Sequence, residues 1–465
     1  MLPRILSIIL VPLFTSVLGK ENYGIYTALM AYLILGNVLL SYGMETAFFR
    51  FITKYPNKKR AIQGTALSSI AVSTVLFFSL AYLFKSPIAN FLEFKQSYLV
   101  YAFGILALDA LVVVPFAWFR VNERPMRYAV IKIANVAVNL GLNLFFFLVL
   151  PGLAVGSDFW SGLLLEDPIH YVFLANIIAS GLTCIALLPI YTKVRLQFEK
   201  GLWKEMMRYA VPILIAGIAF SINESFDKIL LKYLLPEAIA ASEIGVYGAC
   251  YKLGVFMTLF STAFRLGIEP FFFNHASSGN AKVTYATITK YFAILGSLIL
   301  LFVVIFIDVL KLLLLPESSY WVALGIVPII LLANLCLGIY HNLSVWYKIT
   351  DHTKFGAYIS AIGALITLIL NFVLIPKYSY MGSAWATLAA YGTMMSLSWY
   401  FGRRFYPIPY DLKKILGYMI LSIGLSIISF YVLDRNYYYS IPLFLVFLVI
   451  LYFGEKKDLM RILKK

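Results

Sequence analysis

Apolar runs of about twenty residues, parted by short polar stretches, follow one another along almost the whole chain. A run of that length crosses a bilayer as one helix, so the pattern predicts about fourteen transmembrane helices. The first six lie near 2–19, 23–42, 62–84, 97–119, 128–150 and 170–192. Six more lie near 209–231, 244–273, 288–315, 321–347, 355–375 and 381–402, and a final pair near 412–432 and 438–454. The first span is short and begins almost at Met1, as though upstream residues were missing. No small-residue cleavage site separates it from the next span, so it is not read as a signal peptide.

Composition agrees with an all-α integral membrane protein. The chain is 62% hydrophobic and 13% charged, whereas a soluble protein is about half apolar and a quarter charged. The net charge of +16 would suit nucleic acid, but its placement argues for topology instead. Of 38 Lys and Arg, 26 fall in every second loop or in the basic tail, and 7 in the alternate loops. Cytoplasmic loops collect Lys and Arg, which puts both termini on the cytoplasmic side. Cys184, Cys250 and Cys336 lie in separate apolar runs and form neither a disulfide framework nor a thiolate metal site.

An internal repeat organises the spans. Gly24–Tyr26 (GIY) is echoed by Gly245–Tyr247 (GVY), and Tyr42–Phe49 (YGMETAFF) by Leu266–Phe273 (LGIEPFFF). Phe119–Ala129 matches Tyr347–Ala357, and Leu142–Asn143 matches Leu370–Asn371. The order is kept and the offset drifts only from 221 to 228. Six spans separate the copies, so the two lobes share one orientation about a pseudo-twofold axis along the membrane normal, as in several secondary transporters. The expected organisation is a six-helix lobe over 1–206, a second over 207–408, and two further helices with a basic tail over 409–465.

Leu10–Leu33, Tyr42–Phe51, Arg208–Gly217, the Asp227–Lys228 pair and Leu370–Thr387 (LNFVLIPKYSYMGSAWAT) carry a resemblance to a known family. The sequence resembles the Wzx-type polysaccharide, or O-antigen, flippases of the multidrug/oligosaccharidyl-lipid/polysaccharide (MOP) exporter superfamily. The resemblance implies two six-helix lobes around a central cavity. It implies a substrate built of an oligosaccharide on a polyprenyl pyrophosphate, flipped to the outer leaflet of a bacterial cytoplasmic membrane. Similar proteins carry a fuller first helix, which strengthens the expectation of a missing start. Membrane lipids and polysaccharide polymerase machinery are the expected partners, the chain is expected to be a monomer, and no cofactor is expected beyond a coupling H+ or Na+.

A flippase breaks no bond; it must carry a pyrophosphate and a polar glycan past hydrocarbon. A charge at the bilayer centre costs at least about 2.5–3.5 kcal/mol, which makes intramembrane charges functional candidates. The basic ones are Arg4, Lys132, Lys228, Lys252 and Arg265, with Arg50 at the end of the second span. Arg binds pyrophosphate best, because its planar fork is bidentate. In the family, cationic residues on the first two helices of each lobe are thought to do this, and Arg4, Arg50, Lys228 and Arg265 match by position. The bland alternative is local neutralisation or snorkelling to a headgroup, favoured for Lys252.

Glu45, Asp109, Glu224, Asp227 and Glu269 are the candidates for ion coupling or gating. Glu224 and Lys228 are four apart on one helical face and are expected to pair. Asp109 has no basic residue within one turn, and a lone carboxyl in hydrocarbon favours its protonated form, which suits proton coupling. Glu45 and Glu269 are equivalent by the repeat, as coupling-ion ligands or as helix caps. Pro12, Pro115, Pro212 and Pro328 are candidate hinges.

Other readings fit less well. A membrane polymerase or ligase needs reactive groups on an outer loop, and the longest one, about 151–169, holds Asp158, Glu166 and Asp167 but no Lys or Arg. A drug or cation exporter calls for an acidic cavity. A lipid II flippase differs mainly in the glycan.

Overall fold

The computed structural model of the chain describes residues 2–193, 198–275 and 278–463, with side chains described over 8–192, 198–272, 275 and 278–456. These residues are helical almost throughout, and no strand occurs among them. With no water in hydrocarbon, a backbone must satisfy its own N–H and C=O groups, and the helix does so within one segment.

The helices are α1 (Leu2–Ser41), α2 (Met44–Lys54), α3 (Lys59–Leu83), α4 (Lys85–Leu92), α5 (Gln96–Val121), α6 (Pro125–Leu144), α7 (Leu150–Ala154), α8 (Asp158–Ser161) and α9 (Ile169–Lys193). Then come α10 (Lys200–Leu234), α11 (Glu237–Tyr251), α12 (Val255–Asn274), α13 (Ala281–Ile305), α14 (Ile307–Leu314), α15 (Val327–Leu343) and α16 (Val345–Ile349). The chain ends in α17 (Lys354–Phe405), α18 (Leu412–Ile427) and α19 (Tyr437–Leu463).

Twelve helical stretches among the described residues are long and apolar enough to span a membrane. Two of them, of 47 and 52 residues, are about twice the length one crossing needs. Within α1 the first breaks at Gly19 (φ 68°), and it turns again at Tyr42 and Gly43 before α2; the second breaks at Ser379 (φ 49°). Counted as two crossings each, they bring the twelve to the fourteen expected. Ser379 is where the sequence leaves only five residues between two predicted spans; its hydroxyl hydrogen-bonds Glu243 of α11, which fixes the turn from outside. Pro12, Pro115 and Pro212 lie inside helices, and Pro328 stands where the 3-10 helix Ser318–Ile326 passes into α15.

The described chain divides into two compact units. One comprises 2–10 and 25–229, the other 11–24 and 230–465. The first is held by a cluster of Met44, Phe48, Ile62, Ile70, Val114, Ala117 and Met206, which joins α2, α3, α5 and α10. In the second, Ile294, Leu301 and Ile305 of α13 pack on Tyr418, Leu425 and Phe447, docking the C-terminal helix pair. Apolar side chains such as Ile185, Leu313, Val432 and Phe453 stay more than half exposed, as expected of helices whose solvent is lipid.

The repeat has a direct structural expression within the second unit. A Cβ on Gly24 would lie 1.7 Å from the Ala241 carbonyl oxygen, and one on Gly245 would lie 2.0 Å from that of Lys20. The two glycines that the repeat makes equivalent lie against each other, and neither position has room for a side chain. Such mutual contact of equivalent residues is what a local twofold axis passing between them produces.

Candidate functional site

The repeat also organises the charges. Glu45, in the first turn of α2, pairs with Arg120 at the end of α5. Glu269, in α12, pairs with Lys348 of α16 at 2.6 Å. Arg120 and Lys348 are themselves equivalent, at the same offset of 228 that aligns Phe119 with Tyr347. Both copies therefore tie their second helix to the end of their fourth through one ion pair. Neither base stood out in the sequence, where both count among the loop charges, yet the repeat offset marks them.

The second-half pair borders a small pocket. Ser261, Phe264, Arg265, Glu269, His341, Asn342 and Lys348 line it, with Gly338 opening space at its wall. Arg265 and Glu269 are one turn apart on α12, but Lys348 claims the carboxylate, and Arg265 makes no ion pair with any described residue. The position equivalent to Arg265 at the Glu45 offset of 224 is Ser41, so the first half has no counterpart. The result is a half-enclosed pocket in which two fixed cations face one carboxylate, with a histidine beside them.

The other predicted residues distribute as follows. Arg4 belongs to α1, but its side chain lies outside the described residues. Arg50 is exposed and stacks its guanidinium over Tyr209, 4.4 Å from the ring centroid. Lys228 bonds its neighbour Asp227 at 2.9 Å, the contact that helical spacing made least expected, and both are largely buried. Glu224, one turn earlier, is engaged as well.

Asp109 is not the isolated carboxyl that α5 alone suggested. Ser180 of α9 donates to it at 2.8 Å, Asn37 of α1 hydrogen-bonds it, and Lys132 of α6 lies near enough to act on it electrostatically. The Lys132 ammonium sits over Phe116, 4.4 Å from the ring centroid. Below Lys132, Asn135, Asn139 and Asn143 follow on one face of α6 at spacings of three and four, with Asn135 donating to Thr183. This polar face was missed because each residue lies alone in an apolar run.

Outside the spans, the acidic loop before α9 is also committed. Lys95 bonds Asp167 at 2.8 Å and Tyr98 donates to it too. Burial disfavours the Asp167 carboxylate, but these bonds and the Ile169 N–H outweigh it and hold the carboxyl below its usual range. A second buried cluster joins α13 to the C-terminal pair: Glu455, 1% exposed, takes Lys290 and Lys414, each at 2.7 Å. Lys290 thus belongs to the packed interior and not to a cytoplasmic loop.

Among solved structures, the chain is similar to a lipid II flippase, MurJ, in an inward closed conformation, with a TM-score of 0.76 at 15% identity over 98% of each chain. It is similar to an inward-facing multidrug resistance MATE transporter of the MOP superfamily, with a TM-score of 0.65 at 12% identity over 86% of this chain and 94% of the other. The Vibrio cholerae MATE transporter VcmN matches with a TM-score of 0.57 at 14% identity, over 87% and 93%. These likenesses show a shared transporter fold. No curated protein sequence matches. Residues 1–262, more than half of the chain, match the family described as polysaccharide biosynthesis proteins. The chain is therefore a multi-pass helical membrane protein with the MOP transporter fold, and it belongs to the polysaccharide biosynthesis protein family.

Proposed function

We propose that the chain flips a polyprenyl-pyrophosphate-linked oligosaccharide from the inner to the outer leaflet of a bacterial cytoplasmic membrane by alternating access, with both termini cytoplasmic. The observation that carries the reading is Arg265. It is an arginine without a protein counter-ion among the described residues, held in a half-enclosed pocket beside Lys348 and His341. A guanidinium carried within a stretch long and apolar enough to span a membrane is costly without a counter-ion, and a pyrophosphate oxygen pair matches its fork. The family's role in polysaccharide biosynthesis and the fold shared with a lipid II flippase support a lipid-linked glycan. The excess of cations at the pocket disfavours organic-cation export, although MATE transporters share the fold. Arg50 supplies a further exposed guanidinium in the other unit.

The test is translocation in vesicles containing the purified chain and a fluorescent polyprenyl-pyrophosphate oligosaccharide, read by accessibility of the glycan to a membrane-impermeant lectin. Protein-dependent exposure that Arg265→Ala abolishes supports the reading; glycan that stays inaccessible with correctly folded protein overturns it. Coupling to protons is assigned to Asp109, which is held by Ser180 and Asn37 beside Lys132. Asp109→Asn is expected to flatten the dependence of translocation on an imposed proton gradient, and an unchanged dependence removes Asp109 from that role.

A further inference from the structure

A second pocket lies away from the charged site, in the unit that contains the C-terminal helices. Its volume is about 220 Å³, and its lining comes from α13, α15, the second half of α17, and α18. Ile339, Leu343, Met395, Ile415, Leu416 and Met419 make the walls apolar. Most of the lining lies toward the helix ends joined by the 406–411 connection, which carries Tyr410 and is flanked by Arg403, Arg404, Lys413 and Lys414. The pocket is thus apolar inside and basic at its rim.

Three details make it more than a packing gap. Tyr410 lines it, and the Tyr410 hydroxyl is buried without a hydrogen-bond partner. A buried polar atom left unsatisfied costs about 1–3 kcal/mol, which an oxygen-bearing ligand would relieve. Trp399 also lines it, and the Arg403 guanidinium stands over that indole, 5.9 Å from the centroid. Lys414 is spent on Glu455, but Lys413 beside it is exposed and enters no ion pair with a described residue.

We propose that this pocket binds an anionic membrane phospholipid, with one acyl chain among Ile339, Leu343, Ile415 and Met419 and the headgroup against Arg403 and Lys413. An apolar slot under a basic rim at the end of a helix bundle matches a diacyl lipid with a negative headgroup. In the orientation proposed above, this rim faces the cytoplasmic leaflet, where anionic lipids concentrate and basic pockets between helices bind their headgroups. Tyr410 is placed to donate to a phosphate or ester oxygen at the junction of chain and headgroup. The site does not depend on the translocation reading, because none of its lining residues belongs to the Arg265 pocket.

The full-length chain is reconstituted in phosphatidylcholine bilayers holding an increasing fraction of dibrominated phosphatidylglycerol, and tryptophan quenching is followed. Subtracting the signal of Trp399→Phe isolates Trp399. Quenching of Trp399 is expected to saturate at a small fraction of phosphatidylglycerol, and dibrominated phosphatidylcholine is expected to give only a gradual, linear loss. Arg403→Gln and Lys413→Gln should each weaken the saturable phase roughly fivefold, equivalent to about 1 kcal/mol per basic residue at the membrane surface. Ser396→Phe, which fills the pocket from an exposed edge, should remove the saturable phase while leaving the linear one. Linear quenching by both lipids overturns the proposal, as does a saturable phase that none of these substitutions changes. Displacement of phosphatidylglycerol by equimolar polyprenyl phosphate would assign the pocket to the substrate's tail and overturn it too.

Discussion

Removing Lys348, which bonds a carboxylate and not the ligand, should weaken anion binding at the second-half pocket. Lys348 holds Glu269 at 2.6 Å, which leaves Arg265 without an ion pair among the described residues. Glu269 lies one turn after Arg265 on α12, within side-chain reach. In Lys348→Met the freed carboxylate turns to Arg265 and competes with the ligand for its fork. Arg265→Ala deletes the fork outright; a charge-assisted hydrogen bond is worth about 1.5–3 kcal/mol, or roughly 10- to 150-fold in affinity. Arg265→Lys keeps the charge but not the bidentate geometry and should fall between. Glu269→Gln frees Lys348 to join the ligand and should tighten binding. The assay is pyrophosphate-dependent thermal stabilisation of the purified chain at fixed ionic strength, with chloride as the control anion. The expected order of affinity is Glu269→Gln, wild type, Arg265→Lys, Arg265→Ala, with Lys348→Met several-fold below wild type. A Glu269→Gln variant that binds no tighter, together with a Lys348→Met variant that binds as wild type, would refute the view that Lys348 keeps Arg265 available.

Three further outcomes test the frame around the site. Glu455→Gln removes the carboxylate that Lys290 and Lys414 share and should cost about 3–5 kcal/mol, read by thermal unfolding in detergent; a variant as stable as wild type would contradict the buried pairing. Gly245→Ala must displace the Lys20 carbonyl and should cost about 1–3 kcal/mol in the same assay, and a variant as stable as wild type would contradict the close approach. Asp167 has a lowered pKa in the folded chain, so its pairing with Lys95 and Tyr98 stabilises the loop above the unfolded carboxyl value and is lost as pH falls through the folded one. Hydrogen exchange over 155–168 should therefore quicken, relative to the rest of the chain, on acidification into that range, and Asp167→Asn should lose the dependence.

Hydropathy determines the helices and their number, because only a helix satisfies its backbone in hydrocarbon and its length must match the bilayer. The repeat was likewise legible: collinear matches such as GIY with GVY place Gly24 opposite Gly245 and Glu45 opposite Glu269 before any coordinate is known. What spacing along one helix could not decide is which charges meet. Lys228 bonds its sequence neighbour Asp227, a contact that helical spacing did not announce, because a long flexible side chain reaches whatever carboxylate its packing allows. Asp109 read as isolated until α1, α6 and α9 brought Asn37, Lys132 and Ser180 to it. Lys290 lies buried on Glu455, 165 residues away, a pairing that no spacing along one helix announces. Arg265 has no ion pair among the described residues, where Lys348, across from α12, takes its neighbour's carboxylate. Period and length are properties of a segment and are written in its sequence; ion pairing depends on distances of a few ångströms between segments, and only the packed helices set those.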